Sequence, residues 1–206
     1  MKLKQLECEL SKVSQFESPK IELEQYPTTA HLAALMIYTA DSIYDDISDR
    51  SIVDLGIGCG VLTCASSLMG ASKNIGIDID GDALDQARRN CGQFEIDVDL
   101  IHTDVRQLLE NCPNLKADVV IMNPPFGTRN NGIDLVFLQV ASRLASRAVY
   151  SLHKTSTRPK ILKYAQELGM NAEVVAELRY DIAASYKFHK RKSVDIEVDF
   201  IRFAFV

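Results

Sequence analysis

Short apolar runs alternate with segments of helical periodicity from residue 51 to residue 168. Five runs are rich in β-branched and aliphatic residues, and we predict them to be strands: Ser51–Leu55, Asn74–Ile79, Val98–His102, Ala117–Met122 and Arg147–Leu152. Between these runs the apolar spacing predicts helices over about 61–69, 81–91, 104–111, 132–145 and 156–168. This alternation is typical of right-handed βαβ units, in which helices cover both faces of a parallel sheet.

Two further strands are predicted near the end of the chain, over Ala172–Arg179 and Ser193–Val206, with no helix between them. Because they are consecutive, we expect them to form an antiparallel hairpin. The apolar side chains of the last run change parity between Phe200 and Ile201. Such a change indicates either a bulge or a strand that passes from a half-exposed stretch into a fully buried one, and we favour the buried strand.

The first part of the chain has a helical pattern. Residues 2–15 read as a short amphipathic helix, and a second helical pattern follows the turn at Pro27. Thr28 or Thr29 is the expected N-cap of the second helix, because a threonine side chain accepts a hydrogen bond from a free N–H group of the first turn. Strands are therefore predicted only after this helical segment.

Length and composition narrow the class of protein. A chain of 206 residues is long enough for one well-packed domain and short for two. No apolar run approaches the length of a membrane span, and the charged start is unlike a secretory signal. The five cysteines form no CxxC pair and no ligand cluster with histidine. We therefore expect reduced thiols, as in a cytosolic or nuclear protein, and no metal site.

The net charge of −5 argues against a protein that binds nucleic acid through overall basicity. One local cluster is nevertheless basic and contains two aromatic residues: Tyr186, Lys187, Phe188, His189, Lys190, Arg191 and Lys192. Such cations contact phosphates while aromatic rings stack on bases. A solvated hairpin tip explains the same composition, and charge alone does not decide between the two interpretations.

A glycine-rich loop ends the first predicted strand, with glycines at alternate positions: Gly56, Gly58 and Gly60. Glycines at this spacing let the backbone turn sharply and approach a ligand closely, and the next helix offers free N–H groups. A dinucleotide site needs G-x-G-x-x-G, but here the third glycine comes one residue early, and Val61 stands in its place. No Walker loop is present. The spacing resembles the first motif of the class I methyltransferases.

Acidic residues follow the next two predicted strands. Asp78 closes the second strand, where a carboxylate can accept hydrogen bonds from both hydroxyls of a ribose. Asp104 follows the third strand, where it can accept from an adenine amino group, and Val105 offers its backbone N–H. Each feature alone has an ordinary explanation, as a surface carboxylate or a tight turn. Three of them at the ends of successive strands predict a nucleotide-type cofactor site.

The most specific motif follows the fourth strand: Asn123-Pro124-Pro125-Phe126, then Gly127. An exocyclic amino group is a poor nucleophile because its lone pair is delocalised. The Asn123 side-chain oxygen and the Pro124 carbonyl can accept its two N–H groups and direct the lone pair at a methyl donor. Pro125 stiffens the loop, and Phe126 can stack on a planar target. A proline-rich turn after a buried strand is the ordinary alternative.

Asn-Pro-Pro-Phe resembles the motif of amino-group methyltransferases, whose targets include DNA and RNA adenine, RNA guanine and glutamine amide. The longer matches are similar to the eukaryotic methyltransferase-like protein five family: Glu24-Gln25-Tyr26-Pro27-Thr28, Asp54-Leu55-Gly56, Asn123-Pro124-Pro125-Phe126-Gly127-Thr128, Tyr150-Ser151-Leu152-His153-Lys154 and Tyr186-Lys187-Phe188-His189-Lys190. The resemblance implies a class I S-adenosylmethionine-dependent methyltransferase that forms N6-methyladenosine at one adenosine of 18S ribosomal RNA.

For the fold, the resemblance implies one Rossmann-like α/β domain over residues 1–206. We expect a mostly parallel seven-stranded sheet with a C-terminal antiparallel hairpin and helices on both faces. Residues 1–48 would close over the cofactor as a helical segment, and residues 49–206 would form the catalytic core. For the cell, we expect a location in the nucleus, including the nucleolus, and in the cytoplasm.

The resemblance also implies roles for individual residues. The catalytic residues would be Asn123, Pro124, Pro125 and Phe126, and the cofactor would be S-adenosyl-L-methionine. Its expected binding residues are Gln25, Thr28, Gly56, Gly58, Cys59, Val61, Asp78, Asp104 and Val105. Ile57 stands where the family has a second cysteine in the glycine loop, so a thiol has no role at that position.

Two partners are implied as well. One is a small zinc-containing activator subunit, which would pair with the edge of the sheet at the third strand to form a heterodimer. The other is the ribosomal RNA, for which the candidate contact residues are His153, Lys154, Lys187, Lys190 and Arg191. An acidic protein can act on RNA if a local basic loop and a partner together supply the positive charge that contacts the phosphates.

Three other functions compete with an RNA methyltransferase. A glutamine-amide methyltransferase that acts on a protein would use the same Asn-Pro-Pro chemistry. A non-catalytic scaffold would bind the cofactor or the partner without turnover, which leaves an intact Asn123–Phe126 motif unexplained. A nicotinamide dehydrogenase leaves the same motif unexplained.

Overall fold

We describe the protein from a computed structural model, which covers residues 1–183 and 193–205. Its helices are α1 (Leu3–Leu10), α2 (Ala30–Tyr44), α3 (Val61–Leu68), α4 (Gly81–Gln93), α5 (Leu108–Asn111), α6 (Ile133–Leu144) and α7 (Arg158–Glu167). Its strands are β1 (Ser51–Leu55), β2 (Lys73–Asp78), β3 (Asp99–His102), β4 (Ala117–Met122), β5 (Ala145–Lys154), β6 (Met170–Ala183) and β7 (Ser193–Phe205).

All seven strands belong to one sheet with the order β3-β2-β1-β4-β5-β7-β6. The first five strands in the chain are parallel, and β7 is antiparallel to both β5 and β6. The predicted fold class is therefore confirmed. The strand order reverses between β1 and β4, and this switch point is where open α/β sheets bind ligands beyond the carboxyl ends of their strands.

The sheet separates two apolar layers, which form the core. On one face, α1, α2 and α3 bury Leu6, Ile37 and Leu62 against side chains of the sheet such as Ile52. On the other face, helices α6 and α7 pack against the second apolar layer. Because α1 and α2 lie in the same layer as α3, the N-terminal segment shares its core with the rest of the fold.

A buried carboxylate ties the loop after α2 to the far half of the sheet. Asp46 accepts hydrogen bonds from the Tyr150 hydroxyl (2.6 Å), from Arg202 Nε (3.0 Å) and from Arg147 Nε. The Arg202 guanidinium also lies 4.6 Å from the centre of the Tyr44 ring. A fully buried carboxylate needs several such partners to offset its desolvation. This cluster holds the N-terminal helices in place above the sheet.

Two helices are shorter than their apolar pattern predicts, and in each case a hydrogen bond between a side chain and the backbone explains the difference. The Asp104 carboxylate accepts the N–H of Arg106 (2.9 Å), so the chain turns there and α5 begins only at Leu108. The predicted helix over 2–15 ends at Leu10, because the Asn90 side chain hydrogen-bonds both the N–H and the C=O of Ser14.

The parity change of the last strand marks its passage into the core. Strand β7 pairs with β5 without interruption, and Val198 to Ile201 are buried on both faces of the sheet. The interpretation as a fully buried strand is confirmed. A register shift does occur opposite Phe200 and Ile201, but it lies in the neighbouring strand β6, between Val174 and Ala176. In the described part of the chain, every helix is too short or too polar to cross a membrane.

Candidate active site

A cavity of about 250 Å³ opens beyond the carboxyl ends of β1, β2 and β4. Residues 10–30 cover it on one side, and the glycine loop and the loop after β4 form the opposite wall. The expected cofactor residues all line this cavity: Gln25, Thr28, Gly56, Gly58, Cys59, Val61, Asp78, Asp104 and Val105. Residues brought together from five separate parts of the chain therefore face one space.

The glycine loop follows a path that a side chain would block. Gly58 has a φ of +53°, which strains any residue with a Cβ, and its N–H donates to the Asp78 carboxylate (2.9 Å). A Cβ at Gly58 would stand 3.1 Å from the Phe16 ring. Phe16 also lines the cavity, although it belongs to no motif that predicts a site residue. The loop is thus packed tightly between β2 and the N-terminal segment.

Asp78 orders the loop and still has acceptor capacity. Its two oxygens accept the N–H groups of Gly58 and Asp80, each at 2.9 Å. Burial raises the pKa of this carboxyl, and the two N–H groups oppose that effect. Each carboxylate oxygen has about two lone-pair sites, so Asp78 can accept further hydrogen bonds from ribose hydroxyls.

Asp104 is held by a neighbouring cation. The guanidinium of Arg106 donates from Nε to both oxygens of Asp104 (3.0 Å each) and from a terminal nitrogen at 2.5 Å. These hydrogen bonds lower the pKa of Asp104, so it stays an anionic acceptor at the cavity wall. Val105 is buried beside it. The pair gives this part of the cavity an anionic acceptor beside an apolar surface.

Cys59 is not a nucleophile. Burial raises the pKa of its thiol to about 12, and the nearby Asp78 adds to the effect. A thiol reacts as the thiolate, which such a pKa keeps scarce at neutral pH. The backbone at Cys59 has a structural role, since its C=O accepts a hydrogen bond from the Asn90 side chain (2.8 Å).

Gln25 ties the N-terminal segment to the sheet. Its side-chain nitrogen donates to Asp80 Oδ2 (2.7 Å), and its side-chain oxygen accepts the N–H of Lys20 (2.8 Å). The Lys20 ammonium adds a second link, at 2.5 Å from Asp80 and 2.7 Å from Asp82. Gln25 therefore lines the cavity while its amide anchors the segment above it.

The side chain of Asn123 is oriented by the N-terminal segment. Its amide nitrogen donates to the Thr28 hydroxyl oxygen at 2.9 Å. This arrangement leaves Asn123 Oδ1 as an acceptor, and it accepts no hydrogen bond from the residues that the structure describes. Asn123 and Pro125 line the cavity, whereas Pro124 is buried and Phe126 packs against the neighbouring apolar layer. The motif thus meets the cofactor cavity at its first and third residues.

Glu24 is a site residue whose role sequence reasoning missed. Its oxygens accept the N–H of Phe126 (3.1 Å) and the N–H of Arg129 (2.8 Å). Glu24 belongs to the N-terminal motif that carried the resemblance, but the spacing of 102 residues to Phe126 hides the contact. Only the folded chain reveals it.

His153 corrects one expectation about RNA. Its side chain is only 1% exposed, its Nε2 has no hydrogen-bond partner among the described residues, and burial lowers its pKa to about 4. A neutral, buried imidazole cannot contact a phosphate, so the prediction that His153 contacts RNA was wrong. Lys154 stays a candidate RNA contact, because its ammonium lies 5.8 Å from the centre of the ring of Phe126, the residue expected to stack on the target. The remaining candidates, Lys187, Lys190 and Arg191, lie outside the described residues.

These residues fit S-adenosylmethionine. The cavity offers a buried carboxylate for the ribose at Asp78, an anionic acceptor at Asp104 and a glycine backbone that approaches closely at Gly56 and Gly58. Phe137 stands behind Gly56, where a Cβ would lie 3.1 Å from its ring. The two acceptors and the glycine backbone thus suit the nucleoside part of this cofactor.

Comparisons with known proteins agree with this site. The family described as "Methyltransferase small domain" matches residues 34–157. The chain is 54% identical to the rRNA N(6)-adenosine-methyltransferase METTL5 of Danio rerio, over 98% of this chain and 99% of that protein. It is 55% identical to the Drosophila melanogaster protein of the same description, over 98% and 96%.

A solved structure of a putative RNA methyltransferase from Pyrococcus horikoshii is similar as well. It has a TM-score of 0.87 and 34% identity and covers 100% of this chain and 98% of its own. Sequence identity of 34% to 55% over nearly the whole chain indicates a common family and not only a shared fold. The chain therefore belongs to the METTL5 family of rRNA N(6)-adenosine-methyltransferases, which are S-adenosylmethionine-dependent enzymes of the class I fold.

Proposed function

We propose that this chain is the catalytic subunit of a heterodimer that forms N6-methyladenosine at one adenosine of 18S ribosomal RNA. The observation that carries the proposal is the placement of Asn123 at the cofactor cavity, with its amide nitrogen held by Thr28. Curated relatives from fish, fly and worm are named as rRNA N(6)-adenosine-methyltransferases, which supports the choice of substrate.

The loop after β4 supplies the groups that an exocyclic amine needs. Asn123 Oδ1 and the Pro124 carbonyl accept the two N–H groups of the amine, which favours a tetrahedral nitrogen with its lone pair free to react. Pro124 and Pro125 restrict the loop, so the acceptors need little reorganisation. S-adenosylmethionine, when bound, supplies an electrophilic methyl group. No strong base is required at the site, since the nitrogen becomes acidic once it is methylated.

The target base would lie against Phe126. The ring of this residue stacks well on a planar base, and the Lys154 ammonium beside it places a cation near the phosphates of a bound strand. Lys187, Lys190 and Arg191, which lie outside the described residues, stay candidate RNA contacts on the strength of the sequence. The overall negative charge of the chain makes such local cations, or a partner, necessary for RNA affinity.

A small zinc-containing activator would pair with β3. This strand has four residues and lies at the end of the strand order, with β2 as its neighbour. Two of the exposed large apolar side chains belong to the segments next to β3 in the chain and in the sheet: Ile79 directly after β2, at 44%, and Leu109 in α5, at 37%. An open strand edge and exposed apolar side chains are each unfavourable unless a partner covers them. We also propose a location in the nucleus, including the nucleolus, and in the cytoplasm, where ribosomal RNA is made and used.

The test supplies methyl-labelled S-adenosylmethionine to the chain, co-expressed with the activator, together with total RNA and total protein. The expected result is label in N6-methyladenosine of 18S ribosomal RNA that disappears in the Asn123→Ala variant. Label in protein glutamine would instead favour the amide methyltransferase. Cofactor binding without any labelled product would favour the scaffold, and either result would overturn the RNA assignment.

A further inference from the structure

We propose that Glu24 is a positioning residue that holds the catalytic loop, residues 123–129, against the segment that covers the cofactor cavity. The inference rests on the proposed function for the meaning of the catalytic loop. The contacts themselves belong to the chain alone: the Glu24 carboxylate accepts the N–H of Phe126 at 3.1 Å and the N–H of Arg129 at 2.8 Å.

The Glu24 carboxylate is buried, and both of its oxygens are bound to this loop. The residue is only 8% exposed, and Oε2 and Oε1 each accept one of the two backbone N–H groups. Hydrogen bonds from N–H groups to a buried carboxylate are stronger than those to a neutral acceptor. Since the two donors stand on either side of Gly127, which has a φ of +72°, Glu24 fixes the turn that ends the Asn-Pro-Pro-Phe motif.

The backbone at Glu24 is adapted to this task. Glu24 ends the 3₁₀ turn Ile21–Leu23 with φ +52° and ψ +42°, a left-handed conformation that residues with a Cβ adopt rarely. Such a conformation persists where the surrounding contacts favour it. Here the reversal of the chain aims the side chain at the loop after β4, 102 residues away in sequence.

The segment that carries Glu24 is anchored independently on the other side of the cavity. Ser14 is bound through its backbone to Asn90, and Lys20 and Gln25 are bound to Asp80. Glu24 and Thr28 then reach across to the catalytic loop. The segment therefore spans the cavity from α4 to β4, and the geometry of the catalytic loop depends on it.

The consequence is a separation of roles within the segment. Lys20 and Gln25 keep the cover in place, whereas Glu24 sets the position of Phe126 and, through the rigid prolines, of the Pro124 carbonyl. Loss of Glu24 should therefore reduce the rate of methyl transfer more than it reduces the affinity for the cofactor.

The test compares Glu24→Gln with Glu17→Gln in the full chain. Glutamine keeps the size of Glu24, but its NH₂ group must face one of the two N–H donors, so one hydrogen bond is replaced by repulsion. Glu17 lies in the same segment and is 81% exposed, with one ion pair to Arg89, so this control removes the same charge without touching the loop. Glu24→Asp is a second variant, which keeps the charge and withdraws it by one methylene.

We expect kcat for adenosine methylation to fall about 10- to 100-fold in Glu24→Gln, as for loss of one oriented hydrogen bond at a reaction centre, with cofactor Kd within about threefold. Amide hydrogen exchange at Phe126 and Arg129 should become at least about tenfold faster. The values for Glu24→Asp should lie between those of the wild type and Glu24→Gln. Glu17→Gln should match the wild type in kcat, in cofactor Kd and in amide hydrogen exchange.

The proposal is overturned if exchange at the catalytic loop stays at the wild-type rate in both Glu24 variants. It is also overturned if cofactor affinity falls as much as kcat, because Glu24 would then act as a cover residue. Absence of adenosine methylation by the wild-type chain co-expressed with the activator would instead contradict the proposed function. The exchange measurement would still decide the role of Glu24 in that case, since it needs no RNA.

Discussion

The side-chain nitrogen of Asn123 donates a hydrogen bond to the hydroxyl oxygen of Thr28, 2.9 Å away and 95 residues apart in the chain. A free carboxamide can present either its oxygen or its NH₂ group to a ligand. The contact with Thr28 occupies the NH₂ group, so the oxygen is left for an amino group of the substrate. A residue of the N-terminal segment thus holds the first residue of the catalytic motif with its oxygen free to accept.

Thr28→Val should slow methyl transfer while leaving the cofactor site almost intact. Valine keeps the shape of threonine but removes the acceptor for Asn123, so the amide loses its preferred orientation. We expect kcat to fall about 10-fold, in keeping with about 1–1.5 kcal/mol for one hydrogen bond. Single-turnover methylation measures the effect. Thr28→Ser, which keeps the hydroxyl, should retain most of the rate, and equal losses in both variants would contradict this role.

Asp78→Asn should weaken cofactor binding. The asparagine NH₂ group would face the N–H of Gly58 or Asp80, and only one side-chain acceptor would remain for a ribose. We expect the Kd for S-adenosylmethionine to rise about 10- to 100-fold, as for loss of a hydrogen bond to a charged group. Isothermal titration calorimetry checks this. As a control, Asp82→Asn alters an exposed carboxylate on α4 whose contact is with Lys20. Equal affinity in the wild type and Asp78→Asn would refute the assignment of Asp78.

Charged substitutions beside β3 should prevent assembly with the activator. Ile79→Asp and Leu109→Glu place a charge where we propose an apolar interface, and both side chains are exposed in the isolated chain, so its folding should be preserved. We expect loss of co-purification with the activator. The matched control is Ile43→Asp, which is 67% exposed and stands on α2, a helix that packs against α1 and α3. If Ile43→Asp alone disrupted the complex, the interface would have to lie on the helical face.

Stability should depend on pH through His153. Burial lowers its pKa to about 4 in the folded chain, while the unfolded chain keeps a value near 6.5. The unfolded state therefore binds the proton first as the pH falls, so His153 destabilises the fold progressively between pH 6.5 and pH 4. From these two values the loss between pH 7 and pH 5 is about 2 kcal/mol.

Urea unfolding of the wild type and of His153→Leu at pH 7 and pH 5 isolates this contribution. Leucine fills the buried space without a titratable group, so the variant should lose about 2 kcal/mol less than the wild type on acidification. The other acidic groups titrate in both proteins and cancel in the comparison. Identical pH dependence in the two proteins would show that His153 keeps an ordinary pKa.

Much of the fold could be read from local patterns. Strands β1 and β4 begin and end where the apolar runs predict, and the glycines and prolines mark the loops that follow them. The order of strands along the chain, together with the handedness of βαβ units, brings Asp54, Asp78 and Asn123 to one edge of the sheet. Short-range patterns suffice here because a buried parallel strand needs a continuous apolar run.

Contacts between distant segments could not be read in this way. His153 follows a strand at the correct edge, yet its side chain points into the apolar layer, and only packing decides which face of a strand is buried. The same holds for Asn90, whose side chain binds Ser14 and the glycine loop and appears in the sequence as one more polar residue of an amphipathic helix.

The class of the fold, the position of the cofactor loop and the chemistry of the Asn-Pro-Pro-Phe motif follow from the amino-acid sequence, because each depends on residues that are neighbours in the chain. How the motif is held follows only from the folding of the whole domain. Thr28 orients Asn123, and Glu24 holds Phe126 and Arg129, across separations of 95 to 105 residues. Such contacts form when a loop is closed by the packing of the whole domain, and no local pattern records them.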